Sequence, residues 1–119
     1  MTNAQQVLNE ALQHQQAGRN SEARSAYLNV LEERSQPPIV FAEVGLSLFR
    51  LGFLTDAEKA FRIAVSWFPE DAAAHHNLGS YYSLQKQHGM AEESYRRAAS
   101  IDPNDPDTRC ALGTSLVSQ

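Results

Sequence analysis

The chain has one cysteine in 119 residues, Cys110, so no intrachain disulfide can form and no cysteine cluster can hold zinc. A lone thiol fits a reducing compartment, and a cytoplasmic location is expected. There is no basic excess: 10 Lys and Arg against 14 Asp and Glu leave a net charge of −4 and a pI near 5.5. That argues against nucleic acid, whose binding needs a basic stripe, and against an anionic membrane surface. No apolar run approaches the roughly 20 residues of a membrane span. The opening "MTNAQQVLNEALQ" has neither the basic start nor the apolar core of a signal peptide. What remains, 42% hydrophobic and 20% charged, is the composition of one small soluble domain.

Catalytic patterns are also missing. The histidines are His14, His75, His76 and His88. His75 and His76 are adjacent, so on a helix they point about 100° apart and share a metal poorly. No carboxylate or cysteine four residues from one of these histidines forms a recognised metal motif with it, and no metal or cofactor is expected. His75 reads as a packing residue. "NLGSYY" holds a lone glycine inside a helical pattern, not a phosphate loop. Cys110 has only Arg109 as a basic neighbour and reads as a partly exposed structural thiol. The chain is read as having no enzymatic activity.

The informative signal is repetition. "AFRIAVSWFPED", from Ala60, is echoed 34 positions later by "SYRRAASIDPND", from Ser94. The offset holds elsewhere: Ala23, Ala57 and Ala91; Tyr27, Phe61 and Tyr95; Val44, Leu78 and Leu112; Gly45, Gly79 and Gly113. Ser21, Thr55 and Gly89 also fall on it, and all three residue types suit helix N-caps. A fixed offset of this size marks a repeat architecture.

One repeat reads as helix, turn, helix, turn. Phe41, Val44, Leu48 and Leu51 recur at helical spacing, and Pro37-Pro38 suits the start of that helix. Gly52 can end it in the left-handed conformation. "TDAE", Thr55 to Glu58, has the form of a capping box, so a second helix is expected to start there. Ala57, Phe61, Ala64 and Val65 form its buried stripe, and Pro69 stops it. Small residues, Gly45 with Ala57 and Gly79 with Ala91, suit a close crossing of the two helices. Neither pair can bury its apolar face alone, so neighbouring repeats must stack.

The register of Leu78-Gly79, Tyr82, Ala91, Tyr95, Ala98 and Pro103 resembles the tetratricopeptide repeat (TPR) family. The resemblance implies an all-α, right-handed superhelical stack of about seven helices. It would form a single domain over 1–119, with repeats 4–37, 38–71 and 72–105 and a terminal helix 106–119. The chain departs from the pattern in places. Lys86 stands where Gly18 and Gly52 stand in the earlier repeats, so the turn "KQHG" is expected to be looser or differently shaped. Ser35 replaces the closing proline of the first repeat, and the break is expected at Pro37-Pro38.

In stacked helix pairs the first helix of each repeat lines a concave groove. By analogy with the family, the groove residues are Leu8, Asn9, Leu12 and Gln16, then Ile39, Ala42, Glu43, Leu46, Phe49 and Arg50, then Ala73, His76, Asn77, Ser80 and Leu84. Its N-terminal half is apolar, as contact surfaces tend to be. The implied function is a non-catalytic protein–protein interaction module or scaffold that holds a peptide or helix of a protein partner. Two other readings compete. One is a regulatory or substrate-recognition segment of a larger enzyme or a secretion-type chaperone. The other is a self-associating scaffold, a homodimer paired through the incomplete fourth repeat.

One TPR subclass grips the C-terminal carboxylate of chaperone tails with a clamp of Lys, Asn, Asn, Lys and Arg. The matching positions here are Leu8, Leu12, Glu43, Ala73 and Asn77, with no cation among them and with Glu43 repelling a carboxylate. A peptide with an acidic, free-carboxylate end is therefore expected to show no detectable binding by calorimetry. Micromolar affinity would mean that the groove map is misplaced.

Overall fold

The computed structural model describes residues 4–32 and 37–118. They form seven α-helices: α1 (Ala4–Gln16), α2 (Asn20–Val30), α3 (Pro38–Arg50), α4 (Leu54–Trp67), α5 (Ala72–Leu84), α6 (His88–Ile101) and α7 (Pro106–Ser118). No strand occurs among the described residues. The protein is all-α, and its helix starts repeat at the sequence offset. Residues 4, 38, 72 and 106 are 34 apart, as are 20, 54 and 88. Each start follows from local chemistry. Pro37 lies in the extended region before α3, and Pro38 takes the first turn, where its missing N–H costs nothing. Ser35 lies outside the described residues, whereas the break expected at Pro37-Pro38 falls at the start of α3.

The turns joining α1 to α2, α3 to α4 and α5 to α6 share one hydrogen-bond pattern. Gly18, Gly52 and Lys86 have φ of 80°, 90° and 61°. Their amides donate to the carbonyls of Gln15, Phe49 and Ser83 at 3.2, 3.0 and 3.0 Å. The next amides, of Arg19, Phe53 and Gln87, donate to His14, Leu48 and Tyr82 at 2.8, 2.9 and 2.8 Å. This is the Schellman arrangement, in which a left-handed residue caps the orphan carbonyls of a helix end. The turn at Lys86 is thus neither looser nor differently shaped, contrary to expectation. The two flanking hydrogen bonds impose the same geometry on a residue that tolerates it badly.

A second correction concerns the N-caps. Helices α2, α4 and α6 begin immediately after the Schellman turn, so Ser21, Thr55 and Gly89 lie inside their first turns rather than before them. The first helical bonds run from the amides of Ala23, Ala57 and Ala91 to the carbonyls of Arg19, Phe53 and Gln87, each at 3.0 Å. The capping positions Arg19 and Gln87 make no side-chain cap. Helix α4 starts at Leu54, one residue ahead of the Thr55 that opens the "TDAE" stretch.

The chain divides into two compact parts, Met1–Ala60 and Phe61–Gln119. In the first, α1 packs on α2, and α2 touches α3. Leu8, Ala11, Ala23, Tyr27, Phe41 and Leu48 are buried there. The Tyr27 hydroxyl satisfies itself by donating to Gln15 Oε1 at 2.5 Å. Arg24 on α2 pairs with Asp56 on α4 and lies 5.5 Å from the Phe53 ring centre. The pairing raises the Arg24 pKa still further, through the hydrogen bond to Asp56 and then the carboxylate's charge.

In the second part α5 packs on α6, and α7 packs on both. A Cβ at Gly79 would lie 2.8 Å from both Cδ1 and Cε1 of Tyr95. The close neighbour of Gly79 is therefore the ring of Tyr95, the aromatic that recurs at the 34-residue offset. The ring is held in place: Tyr95 is buried, and its hydroxyl donates to Ser80 Oγ at 3.3 Å.

Two stability changes follow from these geometries. Gly79→Ala drives a methyl group into the Tyr95 ring and is expected to destabilise the fold by about 1–3 kcal/mol. An unchanged thermal midpoint would show that the ring is not fixed against α5. Lys86→Gly is expected to raise stability by about 0.5–1 kcal/mol, the left-handed strain relieved less the extra entropy glycine loses on folding. A lower midpoint in the same measurement would show that Lys86 is not strained.

Candidate interaction surface

The surface is clearest on α3. Val40, Phe41, Val44, Gly45, Ser47 and Leu48 are buried and occupy one side of the helix. At about 100° per residue, the remaining arc of about 120° holds Ile39, Ala42, Glu43, Leu46, Phe49 and Arg50. Ile39 is 64% exposed and Leu46 43%. Ala42 and Phe49 are half-buried, while Glu43 and Arg50 are exposed. A helix in a small domain normally turns polar residues outward. Here four of the six outward positions are apolar.

The matching arc of α1 is more mixed. Leu12 is 41% exposed, and Asn9 and Gln16 are exposed. Leu8 is only 5% exposed. It is a packing residue of α1 and leaves the set of candidate contact residues, because a side chain already buried has no surface to offer.

On α5, Ala73 and Leu84 are exposed, while His76, Asn77 and Ser80 are half-buried. Two of these already have partners inside the molecule. His76 Nδ1 lies 3.0 Å from Thr108 Oγ1, and the Thr108 hydroxyl donates to Asp105 Oδ2 at 2.6 Å. A hydroxyl has one proton, so the Thr108 oxygen accepts from His76 and Nδ1 carries the hydrogen. The Thr108 hydrogen bond, the Asp107 amide and nearby His76 hold the Asp105 carboxyl below the usual carboxylate range, against the opposing effect of desolvation. This support is present at neutral pH and is lost as pH falls through the lowered value. The His76 ring also stands 5.5 Å from that of Tyr95, and the Ser80 hydroxyl receives the Tyr95 proton. An open recess of about 400 Å³ lies beside His76, Tyr95 and Cys110.

The sequence reading missed this link between α5 and α7. Its signal is faint: Thr108 sits 34 positions after Ala74, itself 34 after Val40, and all three are buried. A threonine in an otherwise apolar slot announces a polar partner. His75, by contrast, is buried, with Nε2 donating to the Pro69 carbonyl at 2.9 Å, as a packing residue should be. Among the described residues, no helix is long and apolar enough to cross a membrane.

The chain belongs to the tetratricopeptide repeat family: the family model matches residues 44–106, more than half of its length. No curated protein matches it by sequence. Several solved structures share its fold. The first TPR of Spaghetti (RPAP3), bound to the HSP90 peptide SRMEEVD, superposes with a TM-score of 0.74 at 18% identity, over 97% of this chain and 91% of that one. MamA from Desulfovibrio magneticus RS-1 gives 0.73 at 21% identity, over 97% and 65%. The Sgt2 TPR domain from Aspergillus fumigatus gives 0.74 at 17% identity, over 98% and 79%.

Proposed function

We propose that the chain is a non-catalytic module that binds a peptide or helix of a protein partner in a groove lined by the first helix of each repeat. In this reading it is one domain, with repeats 4–37, 38–71 and 72–105 followed by the helix 106–119. The 34-residue spacing of helix starts supports that division. The observation that carries the functional reading is the outward apolar arc of α3, with Ile39 64% and Leu46 43% exposed on a helix whose other side is already buried. Apolar side chains at such exposure are costly to leave in water and contribute strongly when a partner covers them. Leu12, Ile39, Leu46 and Phe49 are the proposed anchors, with Glu43, Arg50, His76, Asn77 and Ser80 as polar surroundings. A cytoplasmic setting is consistent with the single thiol.

The RPAP3 domain in its solved complex holds a peptide whose printed sequence ends in EEVD. This chain has no cation at Leu12, Glu43, Ala73 or Asn77, so its selectivity is proposed to come from apolar anchors instead of a carboxylate clamp. Replacing Leu46 and Phe49 together with Ser should leave the circular dichroism spectrum largely intact, since outward substitutions usually cost little. Partners captured from a lysate by the unaltered chain should be lost with the double variant. A double variant that unfolds places these residues in the core, and one that captures the same proteins moves the binding surface elsewhere.

A further inference from the structure

The outward apolar residues of α3 are not scattered. Ile39, Ala42, Leu46 and Phe49 are separated by three, four and three positions. That is the heptad spacing of a coiled-coil seam, with Ile39 and Leu46 in one core position and Ala42 and Phe49 in the other. Glu43 and Arg50 are seven positions apart, each immediately after one of the second pair. They flank the seam at the position where charged residues set partner choice and orientation between helices. One is negative and the other positive, and both are exposed.

Building on the groove reading above, we infer that this face of α3 receives an amphipathic α-helix of a partner protein, one with apolar residues at alternating three- and four-residue spacing and a basic and an acidic residue a heptad apart on one flank.

Spacing decides between a helix and an extended peptide. Along α3 the apolar residues recur about every 5 Å, from a mean separation of 3.5 residues at 1.5 Å rise. A partner helix with the same pattern offers its own apolar residues at the same interval and stays in register over the whole seam, about 15 Å. An extended chain offers side chains to one face only every 6.8 Å or so. Its residues drift out of step with the seam by more than half a repeat across that length. The flanking charges then fix which way the helix lies. Its basic residue must meet Glu43 and its acidic residue Arg50, because the opposite placement puts like charges together.

The test uses synthetic probes of about 20 residues with Leu at the seam positions. One probe carries Lys and Glu a heptad apart on one flank, a second carries Glu at both flank positions, and a third is the first probe with a central Leu replaced by Pro. The first probe should bind the full chain by calorimetry at micromolar affinity and gain helical circular dichroism on binding. The proline probe should bind at least tenfold more weakly, and so should the first probe to the Leu46→Ser/Phe49→Ser chain. Glu43→Lys should reverse the order of the first two probes, by roughly tenfold at low salt and less at high salt. Equal binding of the proline probe overturns the helix inference and leaves the groove reading standing. Binding unaffected by the Leu46 and Phe49 replacements overturns both. No binding by the first probe also overturns the inference. If light scattering then shows a dimer that the double replacement dissociates, the occupant is a second copy of this chain.

Discussion

Each of the three tight helix–helix connections turns on one residue held at positive φ. At Gly18, Gly52 and Lys86 the backbone reverses with the same pair of hydrogen bonds, and the following helix starts two residues later. That turn decides which faces of successive helices meet. It therefore decides where Ala23, Ala57 and Ala91 are buried, and why large side chains such as Tyr27, Phe61 and Tyr95 are buried beside them. The substitution of lysine for glycine at the third turn leaves its form unchanged. The two hydrogen bonds and the packed helices on either side are together worth more than the strain of one left-handed residue.

With the inner faces set this way, the outer faces are left to vary. Slot by slot, α3 carries Ile39, Ala42, Leu46 and Phe49 where α5 carries Ala73, His76, Ser80 and Ser83. The backbone positions are equivalent, but their chemistry has diverged. On α5 the polar residues are turned inward to their neighbours: His76 reaches Thr108, and Ser80 receives the Tyr95 hydroxyl. On α3 Ile39 and Leu46 keep much of their surface. A helix that is apolar on two opposed sides is over-supplied for folding, and the excess is what the proposed partner would cover.

The solved relatives show how far a shared fold carries. The RPAP3, MamA and Sgt2 domains have this backbone at 17–21% identity, and a backbone shared at that distance does not transmit ligand chemistry. The chemistry must be read from each chain's own side chains. Here they argue for an apolar contact, with one negative and one positive residue to orient it.

The sequence by itself determined the fold. Repeated small and aromatic residues at a 34-residue offset can be satisfied by stacked helix pairs and by little else, so helix number, approximate bounds and most of the core were legible from periodicity alone. The outward set on α3 was legible only through the resemblance to the family, since Val40 and Ser47 are equally absent from the stripe of Phe41, Val44 and Leu48 and yet are buried. Tertiary structure decided what periodicity could not. Leu8 became core because its neighbours closed over it. The Tyr95 ring closed tightly over Gly79. The helix starts fell ahead of Ser21, Thr55 and Gly89, directly after the preceding turns. The chain from His76 through Thr108 to Asp105 joins residues up to 32 positions apart. Pattern along a chain reports which way a residue faces on its own helix, whereas the identity of what it meets is fixed only when helices distant in sequence come together.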